Sequence, residues 1–235
     1  MTLLKVGGLN AFYGRAQILF DVAFDVRPGE VVALLGRNGA GKSTTMKAIM
    51  GLLPRTTGAI SFMGESIIGL PPYRIARLGL GYVPEDRRIF GDLTVMENLD
   101  TGRQPPREGA PLWTPEKLFR VFPNLNEMRG RRASRMSGGE QQMLTISRTL
   151  MGNPRVVLLD EPSEGVAPVI VEQMADMILE LKREGIAIVL SEQNLHFAAL
   201  VSDRVYVLEK GQIRHEGPMN EFVRDDAARR AYLGV

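Results

Sequence analysis

The chain has 235 residues, 44% hydrophobic and 24% charged, a balance that supports a sizeable core in one large domain, or one domain with a small inserted subdomain, and argues against disorder. A formal net charge of +2 is too small to predict a nucleic-acid partner, and the short clusters Arg87–Arg88 and Arg129–Arg132 read as solvated faces or local salt bridges. The absence of cysteine excludes disulfides, thiolate zinc sites and a cysteine nucleophile.

Met1–Asn10 carries no signal-peptide pattern, and no window reaches ~18 uninterrupted apolar residues. A role at a membrane would therefore run through partners. In chain order, Val31–Leu35 is an apolar run that predicts a strand buried on both faces. It leads directly into Gly36-Arg37-Asn38-Gly39-Ala40-Gly41-Lys42-Ser43, which satisfies G-x-x-x-x-G-K-[ST], and a helical pattern follows over Lys42–Met50.

A Gly-rich turn before a helix is the bland reading of that stretch. The strand–loop–helix context favours phosphate binding. Glycines let the backbone wrap closely and aim its N–H groups at phosphate oxygens, and the helix N-terminus adds partial positive charge. Lys42 can reach the β- and γ-phosphates, and the Ser43 hydroxyl can ligate Mg²⁺.

Ala59–Phe62, between Gly58 and Gly64, predicts a short antiparallel strand. The section from about 88 to 150 is less regular, with Gly102–Pro115 read as a loop. Within it, Ser137 and Glu140 form an S-x-x-E capping box for a helix. A capped helix start with Gly138-Gly139 is also an anion site.

Val156–Leu159 predicts a second buried strand, with Asp160 and Glu161 at its C-terminal end, where open α/β sheets bind ligands. Asp160 is the predicted magnesium ligand, and Glu161 the predicted general base for the attacking water. Val169–Arg183, with Pro168 before it and Gly185 after it, predicts a helix whose apolar face holds Val171, Met174, Ile178 and Leu181. Ile186–Leu190 predicts a third buried strand, and Arg204–Leu208 with Gln212–His215 a hairpin around Lys210-Gly211. The alternation of strands and helices predicts an α/β fold.

Gly36–Thr44, Ser137–Gln141 and Val156–Glu161, in this order, resemble the phosphate loop, signature and Walker B segment of the ABC ATPase family, and the resemblance spans nearly the whole chain. It implies a P-loop NTPase core with a mostly parallel sheet, a small antiparallel β subdomain and an inserted α-helical subdomain at about 88–150, all in a single domain over 1–235. It also implies ATP and Mg²⁺ as ligands. The signature of one subunit, Ser137, Gly138, Gly139 and Glu140, is then expected to close over the γ-phosphate held by a second subunit, and Tyr13 to stack on adenine.

Two positions depart from the family pattern. Glu85 follows Tyr82-Val83-Pro84 where Gln is usual, and a carboxylate there can still ligate Mg²⁺ or orient water. Gln193 stands where His is usual, and its amide can still donate to the γ-phosphate but cannot become cationic near neutral pH. With Ser191-Glu192-Gln193-Asn194 and Ala231-Tyr232-Leu233-Gly234, these departures resemble the shorter ATP-binding subunit of high-affinity branched-chain amino-acid importers.

That resemblance implies an ATPase paired with a second ATPase subunit, as a heterodimer or a homodimer. The pair would sit beneath two integral membrane permease subunits, at the cytoplasmic face of the inner membrane, fed by a periplasmic solute-binding protein. Glu164-Gly165 also resembles importers for urea or short amides, where the branched-chain group commonly has Leu at position 164. A soluble non-transport ABC ATPase is the alternative of another class. Such proteins usually carry paired cassettes or long coiled-coil insertions, which this sequence lacks.

Overall fold

The computed structural model describes residues 2–234. The chain opens with a long hairpin, β1 (Leu4–Tyr13) and β2 (Ala16–Val26), then runs into β3 (Val31–Leu35) and α1 (Lys42–Ile49). β4 (Arg55–Phe62) and the short β5 (Glu65–Ser66) return to the hairpin, giving an antiparallel sheet of order β2-β1-β4-β5. The expected strand at Ala59–Phe62 is thus the second half of a longer one. Gly58 sits inside it because β1 passes so close that a Cβ there would lie 2.3 Å from the Gly8 carbonyl oxygen.

α2 (Pro72–Leu78) leads into β6 (Leu80–Val83). Between β6 and β7 the chain forms only helices and loops: α3 (Val95–Gly102), α4 (Pro115–Val121), α5 (Pro123–Glu127), a single 3-10 turn and α6 (Gly138–Leu150). β7 (Val156–Asp160), α7 (Pro168–Arg183), β8 (Ala187–Glu192), α8 (Leu195–Val201), β9 (Arg204–Glu209), β10 (Gln212–Pro218), α9 (Met219–Phe222) and α10 (Asp226–Tyr232) complete the chain. The second sheet has order β10-β9-β3-β8-β7-β6 and is parallel except for β10.

The continuous apolar runs follow from burial on both faces of that sheet. Val31, Ala33 and Leu35 face a core shared with α6 and α7, while Val32 and Leu34 face a core shared with α1 and the antiparallel sheet. Val157 and Leu159 of β7, and Ile188 and Leu190 of β8, repeat the first face; Val156, Leu158, Ala187 and Val189 repeat the second. Two cores clamp one sheet, and the ends of β3, β7 and β8 are held side by side. Among the described residues, no helix is long and apolar enough to cross a membrane.

Candidate functional site

The loop after β3 is shaped by glycine where backbones approach. A Cβ at Gly36 would lie 2.3 Å from the Leu208 carbonyl oxygen, so only glycine fits between β3 and β9. Gly41 has φ of 110° at the N-cap of α1, and a Cβ there would meet Leu19 at 2.8 Å. Gly39 has φ of 78° and faces open space. The loop is pinned from outside: the Gly211 N–H donates to the Ala40 carbonyl at 2.8 Å. Asn38 is exposed and Thr44 half-buried.

Lys42 is buried, and its Nζ donates to the carbonyls of Gly36 at 2.8 Å and Arg37 at 3.2 Å. The same Nζ lies 2.9 Å from Glu161 Oε1. The predicted lysine and base therefore meet, although 119 positions separate 42 from 161 in sequence. In-register pairing of β7 with β8, and of β8 with β3, carries the acid pair to the phosphate loop.

Asp160 is ringed by hydroxyl donors. Its Oδ1 accepts from Ser43 at 3.0 Å and from Ser191 at 2.7 Å, and its Oδ2 from Tyr82 at 3.2 Å. Burial, then the charge of Asp160 and the hydrogen bond to it, push the Tyr82 hydroxyl up, so it remains a donor. Ser43 Oγ and Asp160 Oδ1, adjacent hard oxygens at the helix start, fit a magnesium ion. Glu85 is exposed, and no hydrogen bond joins it to Ser43 or Asp160. Its charge is felt instead at Glu164.

Glu161 stands on a left-handed backbone with φ of 47°, a strained conformation for a side-chain-bearing residue that recurs at functional sites. Its Oε2 accepts from Gln193 Nε2 at 2.8 Å. Burial works against its ionisation, but hydrogen bonds from Glu164, Lys42 and Gln193 outweigh burial and hold the carboxyl below its usual range. Glu164 moves the other way. Its hydrogen bond with Glu161 raises it, then burial and the charges of Glu161, Glu85 and Glu192.

The signature forms the start of α6. The Ser137 N–H donates to Glu140 Oε2 at 2.7 Å, and the Glu140 N–H donates to Ser137 Oγ at 3.4 Å, completing the predicted capping box. A Cβ at Gly139 would meet Ile170 of α7 at 2.9 Å, and one at Gly138 would meet the Arg87 guanidinium at 2.9 Å. No hydrogen bond or ion pair joins Ser137–Glu140 to Lys42, Ser43, Asp160 or Glu161 within the described residues. Tyr13 closes β1 with 46% of its surface exposed, and no hydrogen bond joins it to these groups.

Four residues at this site have no role assigned to them by the sequence read alone: Tyr82, Ser163, Ser191 and Glu192. Tyr82, Ser191 and Glu192 lie near the ends of β6 and β8, which the sheet register sets beside β7, and Ser163 follows Glu161 by two positions. The Glu192 carboxyl is pushed up by burial, against three backbone hydrogen bonds that favour its charged form.

The sequence profile of the ABC transporter family matches residues 19–164, which hold Gly36–Ser43, Ser137–Glu140 and Asp160-Glu161. The chain belongs to that family. It is an ATP-binding, ATP-hydrolysing subunit, and cassettes of this family work as dimers with membrane permease components. The high-affinity branched-chain amino acid transport ATP-binding protein BraG of Pseudomonas aeruginosa is 42% identical over 232 residues, covering 99% of this chain and all of BraG. The lipopolysaccharide export system ATP-binding protein LptB of Haemophilus influenzae is 34% identical over 237 residues, covering 100% of this chain and 98% of LptB. A nucleotide-free ATP-binding cassette from an ABC transporter superposes with a TM-score of 0.82 at 29% identity, covering 97% of each chain. The α/β fold with a mostly parallel sheet and a small antiparallel one is the fold of these cassettes.

Proposed function

We propose that this ABC transporter subunit drives uptake of branched-chain amino acids, and that Lys42, Ser43, Asp160, Glu161 and Gln193 carry its hydrolytic chemistry. The observation that carries the chemistry is that the first two residues of α1 each meet an acid, Lys42 meeting Glu161 at 2.9 Å and Ser43 meeting Asp160 at 3.0 Å. The 42% identity to BraG supports the solute class, and the lower identity to LptB leaves import as the better-supported direction.

In this reading the β- and γ-phosphates of ATP lie on the backbone N–H groups of Gly36–Thr44 and on the Lys42 ammonium, with Tyr13 stacked on adenine. Ser43 and Asp160, with Glu85 brought in from its exposed position, would hold Mg²⁺, which supplies Lewis acidity to the phosphates when bound. Glu161 takes a proton from the attacking water, and Gln193 fixes the Glu161 carboxylate from its free side. Ser137, Gly138, Gly139 and Glu140 serve a second ATPase subunit, closing on its γ-phosphate, a reading supported by the lack of any hydrogen bond or ion pair between them and Lys42 within the described residues. Closure does work on the permeases only through the difference in nucleotide affinity between open and closed pairs.

The permease is expected at a groove of about 610 Å³ beside α2 and β6. It exposes the aromatic rings of Tyr73 and Phe90, and Arg77, Arg88 and Arg148 line it with no carboxylate among its described lining residues. Arg88 pairs with Asp86 at 2.9 Å, so Arg77 and Arg148 are the cations left to meet an acidic segment. The chain would then sit on the cytoplasmic side of the membrane, held by its partners and supplied by a periplasmic binding protein. Uptake of labelled leucine, and separately of urea, in source cells with and without this gene tests the solute. Loss of leucine uptake that wild type restores and Lys42→Ala does not is the expected result. Loss of urea uptake alone would overturn the solute while keeping the motor.

A further inference from the structure

Glu192 is the last residue of β8, 2% exposed, and among the described residues no cation pairs with it. Its two carboxylate oxygens take three backbone donors from two different loops. Oε1 accepts the Ser163 N–H at 3.1 Å, and Oε2 accepts the N–H groups of Gln193 at 3.2 Å and Asn194 at 3.3 Å. Ser163 lies two residues past Glu161, and Gln193 Nε2 returns to Glu161 Oε2 at 2.8 Å. The path Glu161–Ser163–Glu192–Gln193–Glu161 therefore closes on itself through one buried carboxylate.

We propose that Glu192 is a positioning residue for Glu161: it staples the turn after β7 to the loop after β8 and so fixes the Gln193 amide against the catalytic carboxylate. Packing alone does not call for an anion here. A buried unpaired carboxylate carries a desolvation cost, and an apolar side chain of similar volume would fill the space without it. What an apolar residue cannot do is accept three converging N–H groups. Glutamine cannot do so either. Its single carbonyl oxygen can serve one loop, and its NH₂ would then face the donor of the other.

Glu192 touches neither Lys42 nor the glycine loop by any hydrogen bond, so it acts on turnover rather than on nucleotide affinity. The inference rests on Glu161 being the base, and the experiment separates the two. ATP turnover and nucleotide affinity are measured in the complex drawn from membranes through a tag on this chain, for Glu161→Gln, Glu192→Gln, Gln193→Ala and the double variant Glu192→Gln/Gln193→Ala. Glu192→Gln is expected to lower kcat at least about tenfold with KM within about twofold of wild type. The double variant is expected to be no slower than the slower single one, because both changes remove one linkage. Losses that multiply in the double variant, or a KM that rises as far as kcat falls, would overturn the positioning role. So would wild-type kcat in Glu192→Gln with Glu161→Gln inactive, which sinks this inference alone. An active Glu161→Gln would sink the base assignment with it. If Glu192→Gln does not fold, Glu192→Asp carries the test. It keeps the charge but cannot span both loops, so its kcat is expected to fall while KM holds, and a full wild-type kcat rejects the proposal.

Discussion

Lys42 Nζ and Glu161 Oε1 form a buried ion pair of 2.9 Å. In the proposed roles, the phosphate-binding cation and the hydrolytic base are partners, and the nucleotide would share the lysine with the acid. Replacing the acid removes the base and frees the cation. Glu161→Gln is therefore expected to lower kcat by about 10²–10⁴ while ATP binds as tightly as to wild type or tighter. Phosphate release together with nucleotide titration checks both parts. Wild-type turnover would remove Glu161 from the base role.

The same pair sets a pH dependence of stability. Burial opposes the charge on Glu161, and hydrogen bonds from Glu164, Lys42 and Gln193 overcome it, so its folded value lies below the unfolded one. A depressed carboxyl contributes stability above its unfolded value of about 4.3, and that contribution is lost as pH falls through the folded value. Glu164 and Glu192 run in the opposite direction, since both are raised in the fold and their contribution fades as pH rises through the raised values. Urea unfolding of the nucleotide-free chain should show wild type ahead of Glu161→Gln at pH 7, with the gap closing toward pH 3. A gap independent of pH would contradict the ionised pair.

Gly36 and Gly139 carry different burdens, and alanine should separate them. A Cβ at Gly36 would sit 2.3 Å from the Leu208 carbonyl oxygen, a backbone atom of the central sheet that cannot step aside. Gly36→Ala is expected to lose ATP binding and to destabilise the fold by roughly 1–3 kcal/mol, the range for overpacking. A Cβ at Gly139 would meet the Ile170 side chain at 2.9 Å, far from Lys42 in the bonding network. Gly139→Ala should keep ATP binding to this chain and lose turnover that depends on a second subunit. Equal loss of binding in both variants would contradict the separation.

The parts of this fold that are legible in sequence are those under a double constraint. β3, β7 and β8 are buried on both faces, so Val31–Leu35, Val156–Leu159 and Ile186–Leu190 had no room for polar residues and stand out as runs. The β1–β2 hairpin leaves no such trace. Its pairing shifts register between Val6 and Leu9 and again near Ala11, around Gly8 with φ of 58°, so the alternation of apolar residues breaks in the middle. Pro115, the last residue of the stretch read as a loop, instead opens α4, because proline lacks only the N–H that a first helical position leaves unused. The site divides in the same way. Lys42, Ser43, Asp160 and Glu161 are marked by motif spacing, whereas Tyr82, Ser191 and Glu192 become neighbours only through strand register, which no local pattern encodes.

Arg148 offers the sharpest test of the groove. Its Nη2 donates to the Arg88 carbonyl at 2.7 Å, and its guanidinium carbon lies 5.0 Å from the centre of the Phe90 ring. Its Nη1 is buried without a hydrogen-bond partner among the described residues, and burial pushes the guanidinium down. A buried donor left unpaired costs about 1–3 kcal/mol, a cost that an acceptor on the permease would remove on docking. Arg148→Met keeps much of the packing and deletes the donor. The expected result is at least about tenfold weaker retention of the membrane subunits, loss of uptake, and nucleotide affinity equal to wild type, since Lys42 and Asp160 are untouched. Unchanged retention with full uptake would show that the permease does not use this donor, and would move the search for the coupling contact to Tyr73 and Arg77 at the other wall of the groove.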